Sequence, residues 1–350
     1  MTDPQLSAAP KFSDVYAELN STRGLSQATT RAVFDAIFAG AWTPAQIAGF
    51  LVAVRQRETP EVVAGAAAAM RAAMVPVVHS FPKLLDTCGT GGDGSGSLNL
   101  STGAALVAAA AGVRVAKHGN RAATSRSGSA DVLESLGIPL DVLPAEQGKV
   151  LDEAGIAFLF AQAHHPAMRH AMPVRRELGI RTLFNLLGPL SNPAGVTHQL
   201  LGAPDDAARQ NLAQALVLLG VSRAWVVRSA DGLDEVSPFA ETRVTEVNDG
   251  KLRELVITPQ SFGFELSPPG AIAGGEPDDN ARALTTILSG EKHSASDAVA
   301  LNAAAALVVF HGMTEREAGA QAREILASGK AMSTLKTWSD AASKRRPQKV

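Results

Sequence analysis

Asp86-Thr87-Cys88-Gly89-Thr90-Gly91-Gly92-Asp93-Gly94-Ser95-Gly96-Ser97, continuing as Leu98-Asn99-Leu100-Ser101-Thr102, is the stretch where the chain changes character. Leu84-Leu85 leads into it as a short strand, and residues 103–111 follow as an apolar helix that the run from Asn99 to Thr102 is placed to cap. Strand, glycine loop and helix in that order form a unit of an α/β fold. Glycines at 89, 91, 92, 94 and 96 let the backbone adopt positive φ and turn N–H groups toward a ligand. The helix N-terminus adds partial positive charge and further free donors. Ser95, Ser97, Ser101 and Thr102 offer hydroxyls to phosphate oxygens, and Ser101 also offers one to a metal. No Lys-Ser/Thr pair follows, so the element is not a P-loop. Nor is it a dinucleotide fingerprint, because Asp93 would meet the pyrophosphate; an acid there fits a ligand with sugar hydroxyls or bound Mg²⁺. A flexible glycine connection to a Ser-capped helix is the plainer reading of this loop taken alone.

The next loop shifts that balance. Val113–Ala116 reads as a strand leading into Lys117-His118-Gly119-Asn120-Arg121-Ala122-Ala123-Thr124-Ser125 and then Gly128-Ser129-Ala130-Asp131. Lys117 brings a point charge, and Thr124, Ser125 and Ser129 bring hydroxyl donors. Open α/β sheets bind ligands at the carboxyl ends of their strands, which places both loops side by side.

Outward from these loops, the chain divides. Residues 1–82 read as helices without an intervening strand. Ser26 caps a helix that stops at Gly40, and Thr43-Pro44 and Thr59-Pro60 each open another. From residue 83 to 340, short apolar runs (Ile156–Phe160, Gln199–Gly202, Trp225–Arg228) alternate with helices (Ala145–Glu153, Asp206–Leu219). The fold class expected is therefore α/β: a small N-terminal helical domain and a larger domain with a mostly parallel sheet flanked by helices. Asn248-Asp249-Gly250 marks a hairpin, and helices return over Asp278–Leu288, Ser296–Phe310 and Glu315–Leu326. Residues 341–350 form a basic tail, read as a frayed terminus.

Composition narrows the function. With 46% hydrophobic and 19% charged residues the chain is globular, and a net charge of −2 argues against a nucleic-acid partner. No apolar run reaches spanning length, the N-terminus carries no signal peptide, and a single cysteine, Cys88, fits a reducing compartment. A cytoplasmic protein without a membrane partner is expected. Cys88 has no activating base beside it and reads as a small packed residue. His164, His165 and His170 lack the acidic partner of a zincin-type site and read as structural or channel-lining.

The motifs together resemble the anthranilate phosphoribosyltransferase family. They are Gly89-Thr90-Gly91-Gly92-Asp93, Asn99-Leu100-Ser101-Thr102, Lys117-His118-Gly119-Asn120-Arg121 and Gly128-Ser129-Ala130-Asp131, then His164-His165-Pro166-Ala167-Met168 and Val174-Arg175-Arg176-Glu177-Leu178-Gly179. Residues 181–193 (Arg-Thr-Leu-Phe-Asn-Leu-Leu-Gly-Pro-Leu-Ser-Asn-Pro) and Gly232-Leu233-Asp234-Glu235 complete the series, which covers nearly the whole chain in order. Leu98 stands where the family often has an aromatic residue, and Ser97 where it often has Thr.

The resemblance implies transfer of a phosphoribosyl group from phosphoribosyl diphosphate to the amine of anthranilate. It implies that the donor is held by Gly89, Gly92, Asp93 and Ser97, by Asn99, Leu100, Ser101 and Thr102, and by Lys117, His118, Gly119, Asn120 and Arg121. Ala122, Ala123, Thr124, Ser125 and Ser129 continue that surface. Gly89, Asn120 and Arg175 line the anthranilate site by the same resemblance, and Arg175 can meet a carboxylate with a bidentate fork. Asp234 and Glu235, a pair that alone would read as a solvated turn, are implied with Ser101 to hold two Mg²⁺ ions. A homodimer through the helical domain and a helix near residues 184–197 returning to that domain are also implied. No residue is assigned as a general base, because the anthranilate amine is already neutral. The alternative enzyme is a pyrimidine-nucleoside phosphorylase of the same architecture, and a nucleic-acid-binding relative is a third reading.

Overall fold

The computed structural model describes residues 9–122 and 125–347. The helical bundle begins with Phe12–Leu19, Gln27–Phe38, Pro44–Val54 and Pro60–Ala72. Three of these start where the sequence marks them: the hydroxyls of Ser26, Thr43 and Thr59 accept the N–H of Thr29, Gln46 and Val62. Phe12–Leu19 carries no such mark. Its N-cap, Lys11, makes no side-chain cap, so nothing in the sequence announces it.

One seven-stranded sheet follows, from β1 (Leu85–Asp86), β2 (Val115–Gly119), β3 (Ile156–Phe160) and β4 (His198–Gly202) to β5 (Arg223–Ser229), β6 (Thr242–Asn248) and β7 (Lys251–Ile257). Its order is β3-β2-β1-β4-β5-β6-β7, parallel from β3 to β5 and antiparallel beyond. The chain builds outward from β1 through β2 to β3, then returns to lay β4 on the other side of β1. The β1/β4 boundary is thus a topological switch point, where strand-end loops part and leave a crevice. The mostly parallel sheet flanked by helices is the architecture expected from the alternating pattern.

Two apolar cores result. One joins the helix Leu100–Ala110, the sheet and the C-terminal helices Ser296–His311, Glu315–Ala327 and Lys330–Ser343. The other joins the helical bundle to the short helix Phe184–Leu187 and to Asp206–Leu218 on the other face of the sheet. Phe184 meets Phe34 edge-on at 5.2 Å between ring centroids. The basic terminus is not frayed as far as Pro347: Lys344 and Arg345 pair with Glu153 and Arg346 pairs with Asp141, so the last helix is strapped to the domain. Residues 348–350 lie outside the described residues.

Inside the bundle, Gly65 lets Pro60–Ala72 press against Gln27–Phe38. A Cβ there would lie 2.4 Å from the Gln27 carbonyl oxygen and 2.9 Å from Thr30 Cβ. Gly65→Ala gains about 1 kcal/mol of helix propensity. The forced separation outweighs it, for a net loss of about 1–3 kcal/mol. Urea unfolding should show a lower midpoint; an unchanged midpoint would mean the helices part without cost.

Candidate active site

The switch-point crevice opens into a cleft of about 1190 Å³ between the sheet and the helical bundle. The glycine loop forms its floor. Gly91, Gly92, Gly94 and Gly96 all have φ between 62° and 79°, a region that side chains resist. Among the described residues no protein acceptor takes the N–H of Gly92, Asp93 or Gly94. These are free donors on a concave backbone, as an anion site requires.

Neighbouring strands hold the loop in place. Thr90 N–H donates to the Gly202 carbonyl at the end of β4 (3.0 Å), and Gly91 N–H to Asp234 Oδ2 (2.9 Å). Asp93 Oδ1 accepts the N–H and hydroxyl of Ser95, and its Oδ2 accepts Asp234 N–H at 3.4 Å. Asp93 therefore braces the loop as well as facing the cleft. At Gly89 the approach is close: a Cβ would lie 3.1 Å from Asp234 Oδ2, a tight contact.

Asp234 and Glu235 follow β5 in a loop where both side chains converge on the cleft. Ser101 N–H donates to Glu235 Oε1 (3.1 Å), whereas Glu235 Oε2 is buried without a partner among the described residues. Burial, and then the charge of Asp234, pushes Glu235 up to about 8; burial, and then Asp93, raises Asp234 to about 6. Crowded, desolvated carboxylates with an unused oxygen are a hard-oxygen donor set that suits Mg²⁺. Among the described residues no three His, Cys, Asp or Glu side chains could cage a metal alone.

Behind this surface Lys117 is buried, with its ammonium 3.3 Å from Ser101 Oγ and 3.4 Å from both Thr87 Oγ1 and the Thr87 carbonyl. Asp86 is fully buried and accepts His118 N–H and Asn192 Nδ2, which ties the returning segment to β1 and β2. Burial lowers His118 to about 3 and His165 to about 4, so both rings are neutral at pH 7. They face each other, Nε2 to Nε2, at 3.3 Å, with His118 Nδ1 at 2.9 Å from the Gly188 carbonyl. His164 is anchored on the Val75 carbonyl. Burial pushes the Cys88 thiol up to about 12, which leaves it unreactive.

Of the residues expected at the site, the cleft brings together Gly89, Gly92, Asp93, Ser97, Asn99, Ser101, Lys117, His118 and Gly119. Asn120, Arg121, Ala122, Ser125, Ser129, Arg175, Asp234 and Glu235 line it as well. The side chains of Leu100 and Thr102 are buried and do not line the cleft, so any contact of theirs with the donor would come from the backbone at the start of the helix Leu100–Ala110. The guanidinium of Arg121, which also lines the cleft, is engaged through Nη1 by Asp131 and Glu134, each at 2.9 Å. Ala123 and Thr124 lie outside the described residues. Arg175 is half-buried, stacks over Phe184 at 5.1 Å and has no carboxylate partner among the described residues. Unassigned from sequence were Thr87, Asn192 and Asn280. Asn280 donates to Asn99 Oδ1 from a helix 181 residues further on, a contact without any local signal.

The fold and the cleft define a two-domain glycosyl transferase. Residues 81–332 match the glycosyl transferase family a/b domain and residues 13–74 its helical bundle domain. The chain is 51% identical over 313 residues to an anthranilate phosphoribosyltransferase of Methylobacterium radiotolerans, covering 89% of this chain and 90% of that one. The crystal structure of anthranilate phosphoribosyltransferase from Thermus thermophilus superposes with a TM-score of 0.88 at 44% identity, covering 95% and 99% of the two chains. The Saccharomyces cerevisiae enzyme in complex with PRPP and Mg gives 0.89 at 29% identity, covering 97% and 100%. The chain belongs to the anthranilate phosphoribosyltransferase family. The phosphorylase alternative is not favoured by these matches.

The raised carboxylates predict how the metal-free protein responds to pH. Glu235 titrates near 8 when folded and near 4.5 when unfolded, so the folded state keeps a proton the open chain has lost. The stability this contributes is complete below about pH 4.5 and disappears as pH rises through about 8. Glu235→Gln should melt much like wild type near pH 5 and be more stable near pH 8, by something on the order of a few kcal/mol. Parallel melting curves would show that Glu235 titrates normally.

Proposed function

We propose that this cleft transfers the phosphoribosyl group of 5-phosphoribosyl 1-diphosphate to the amine of anthranilate. The products are N-(5-phosphoribosyl)anthranilate and diphosphate, and the reaction is the second step of tryptophan biosynthesis from chorismate. One observation carries this reading: the N–H groups of the glycine loop, the Asp234-Glu235 carboxylates and Arg175, which has no carboxylate partner among the described residues, line one cleft.

The loop N–H groups and Ser97 hold the diphosphate, and Ser101, Asp234 and Glu235 hold two Mg²⁺ ions. When bound, Mg²⁺ neutralises the charge growing on the departing diphosphate. Arg175 grips the anthranilate carboxylate and so aims the amine at the anomeric carbon, a proximity effect. Neutral His118 and His165 keep the acceptor side free of extra cations. With pKa values of about 3 and 4 they are also too weakly basic to be needed as proton acceptors before attack. As the C1–N bond forms and the C1–O bond to diphosphate breaks, the amine becomes positively charged, and its proton then passes to water.

Among the described residues no helix is long and apolar enough to cross a membrane. Together with the single cysteine this supports a cytoplasmic setting. A homodimer through the helical bundle is supported by Tyr16 and Val52, apolar side chains left half-exposed there.

Loss of anthranilate fluorescence on adding phosphoribosyl diphosphate and Mg²⁺ tests the activity directly; no loss would refute it. Arg175→Ala should raise the anthranilate KM by about 10–100-fold, the worth of a charged hydrogen bond, while the donor KM changes little. Equal damage to both would remove Arg175 from the acceptor site. Asp234→Asn with Glu235→Gln should depress turnover by at least about 100-fold at ordinary Mg²⁺ concentrations, and an unchanged Mg²⁺ dependence would remove the pair from the metal site.

A further inference from the structure

Behind the glycine loop, toward the helical bundle, lies a second cavity of about 280 Å³, lined among others by Arg55, Glu58, Asp93, Asp205, Arg181 and Arg228. Arg181 lines this cavity and the main cleft alike, so its side chain stands at the partition between them. It sits in the short connection between the helices Met172–Leu178 and Phe184–Leu187. Its carbonyl accepts Arg55 Nη1 at 2.9 Å, which fixes it to the end of the bundle helix Pro44–Val54.

From that anchored position Arg181 Nη1 donates to the Gly92 carbonyl at 3.3 Å. The fit is close: a Cβ at Gly92 would lie 2.7 Å from the same nitrogen. The C=O and N–H of a trans peptide point in opposite directions, and no cis peptide is present among the described residues. Holding the Gly92 carbonyl toward Arg181 therefore aims the Asp93 N–H away from it. On one side of that peptide Gly92, at positive φ, has no side chain to resist its rotation; on the other, Asp93 is held by its carboxylate's contacts with Ser95 and Asp234, so the Arg181 bond restrains the free end. If it flipped, a carbonyl would replace an N–H in the anion-binding concavity, which is the wrong polarity for phosphate.

We propose that Arg181 is a positioning residue that locks the Gly92–Asp93 peptide with its N–H available to the diphosphate. This rests on the reading above that the glycine loop takes the diphosphate. Arg181 touches the loop and not the reacting atoms, so its loss acts on the donor and leaves the acceptor alone.

The test uses the full-length enzyme with Arg181→Met and Arg181→Lys. The Met variant should raise the KM for phosphoribosyl diphosphate about tenfold, leave the anthranilate KM at saturating donor within about twofold, and be largely rescued by Lys. Calorimetry with magnesium diphosphate as the probe should show the same weakening of about tenfold. That ratio should persist at about 0.5 M salt, where a remote charge would be screened. Equal diphosphate affinity in wild type and Arg181→Met overturns the lock. So does a difference that vanishes in salt, or a rise confined to the anthranilate KM. If wild type binds magnesium diphosphate but does not consume anthranilate, the transferase reading fails while the calorimetric ratio still decides the lock. Should Arg181→Met not fold, Arg55→Met loosens the same anchor and should weaken diphosphate binding about threefold. Unchanged affinity in that variant overturns the proposal.

Discussion

At the end of β4 the backbone of Gly202 lies so close to the loop after β5 that a Cβ would fall 1.6 Å from the Asp234 carbonyl oxygen. No side chain fits in that space, and the rest of the cleft depends on it. Because the two backbones touch there, the Asp234 carboxylate reaches back to the Gly91 N–H, and the Thr90 N–H reaches the Gly202 carbonyl. Three strand ends, β1, β4 and β5, are stitched together at the switch point of the sheet. The glycine loop needs this outside support, since its own backbone makes no ladder between Gly91 and Gly96. A loop with that much conformational freedom binds an anion well only if other elements have already borne the entropic cost of ordering it.

The same convergence creates an electrostatic tension. Asp93, Asp234 and Glu235 are brought within mutual influence in a partly desolvated place, which raises Asp234 and Glu235 well above the usual carboxylate range. Lys117 lies close by but is buried and directed at Thr87 and Ser101, so it moderates this crowding without neutralising it. The fold therefore tolerates a local instability that a divalent cation would relieve, an arrangement common where function and stability conflict. On the acceptor side the opposite choice is made: two histidines are buried deeply enough to stay uncharged, leaving arginines as the cations.

Much of the scaffold was legible in the sequence because its boundaries carry chemical marks. Ser26, Thr43 and Thr59 cap the helices they were expected to cap, and the hairpin turns at Asp249 and Gly250, both with positive φ. Where such marks are missing the elements went unseen. Phe12–Leu19 starts at an uncapped Lys11, and Lys330–Ser343 starts at Gly329 without a side-chain cap. The basic terminus looked frayed because Glu153 and Asp141, its partners, are nearly 200 residues away in sequence.

By itself the sequence determined the kind of local structure each segment prefers and the kind of ligand its loops can address. Glycines at 91, 92 and 94 permit a nest of N–H groups, and Asp234-Glu235 offers oxygen ligands, wherever the chain happens to place them. Only the tertiary structure decided which of those groups share a space. It put Leu100 and Thr102 into the core, engaged Arg121 with Asp131 and Glu134, and set Arg181 against the Gly92 carbonyl. The physical reason is range. Caps, turns and periodicity are set within a few residues, whereas a side chain's partner is chosen by sheet order and by the approach of distant backbones.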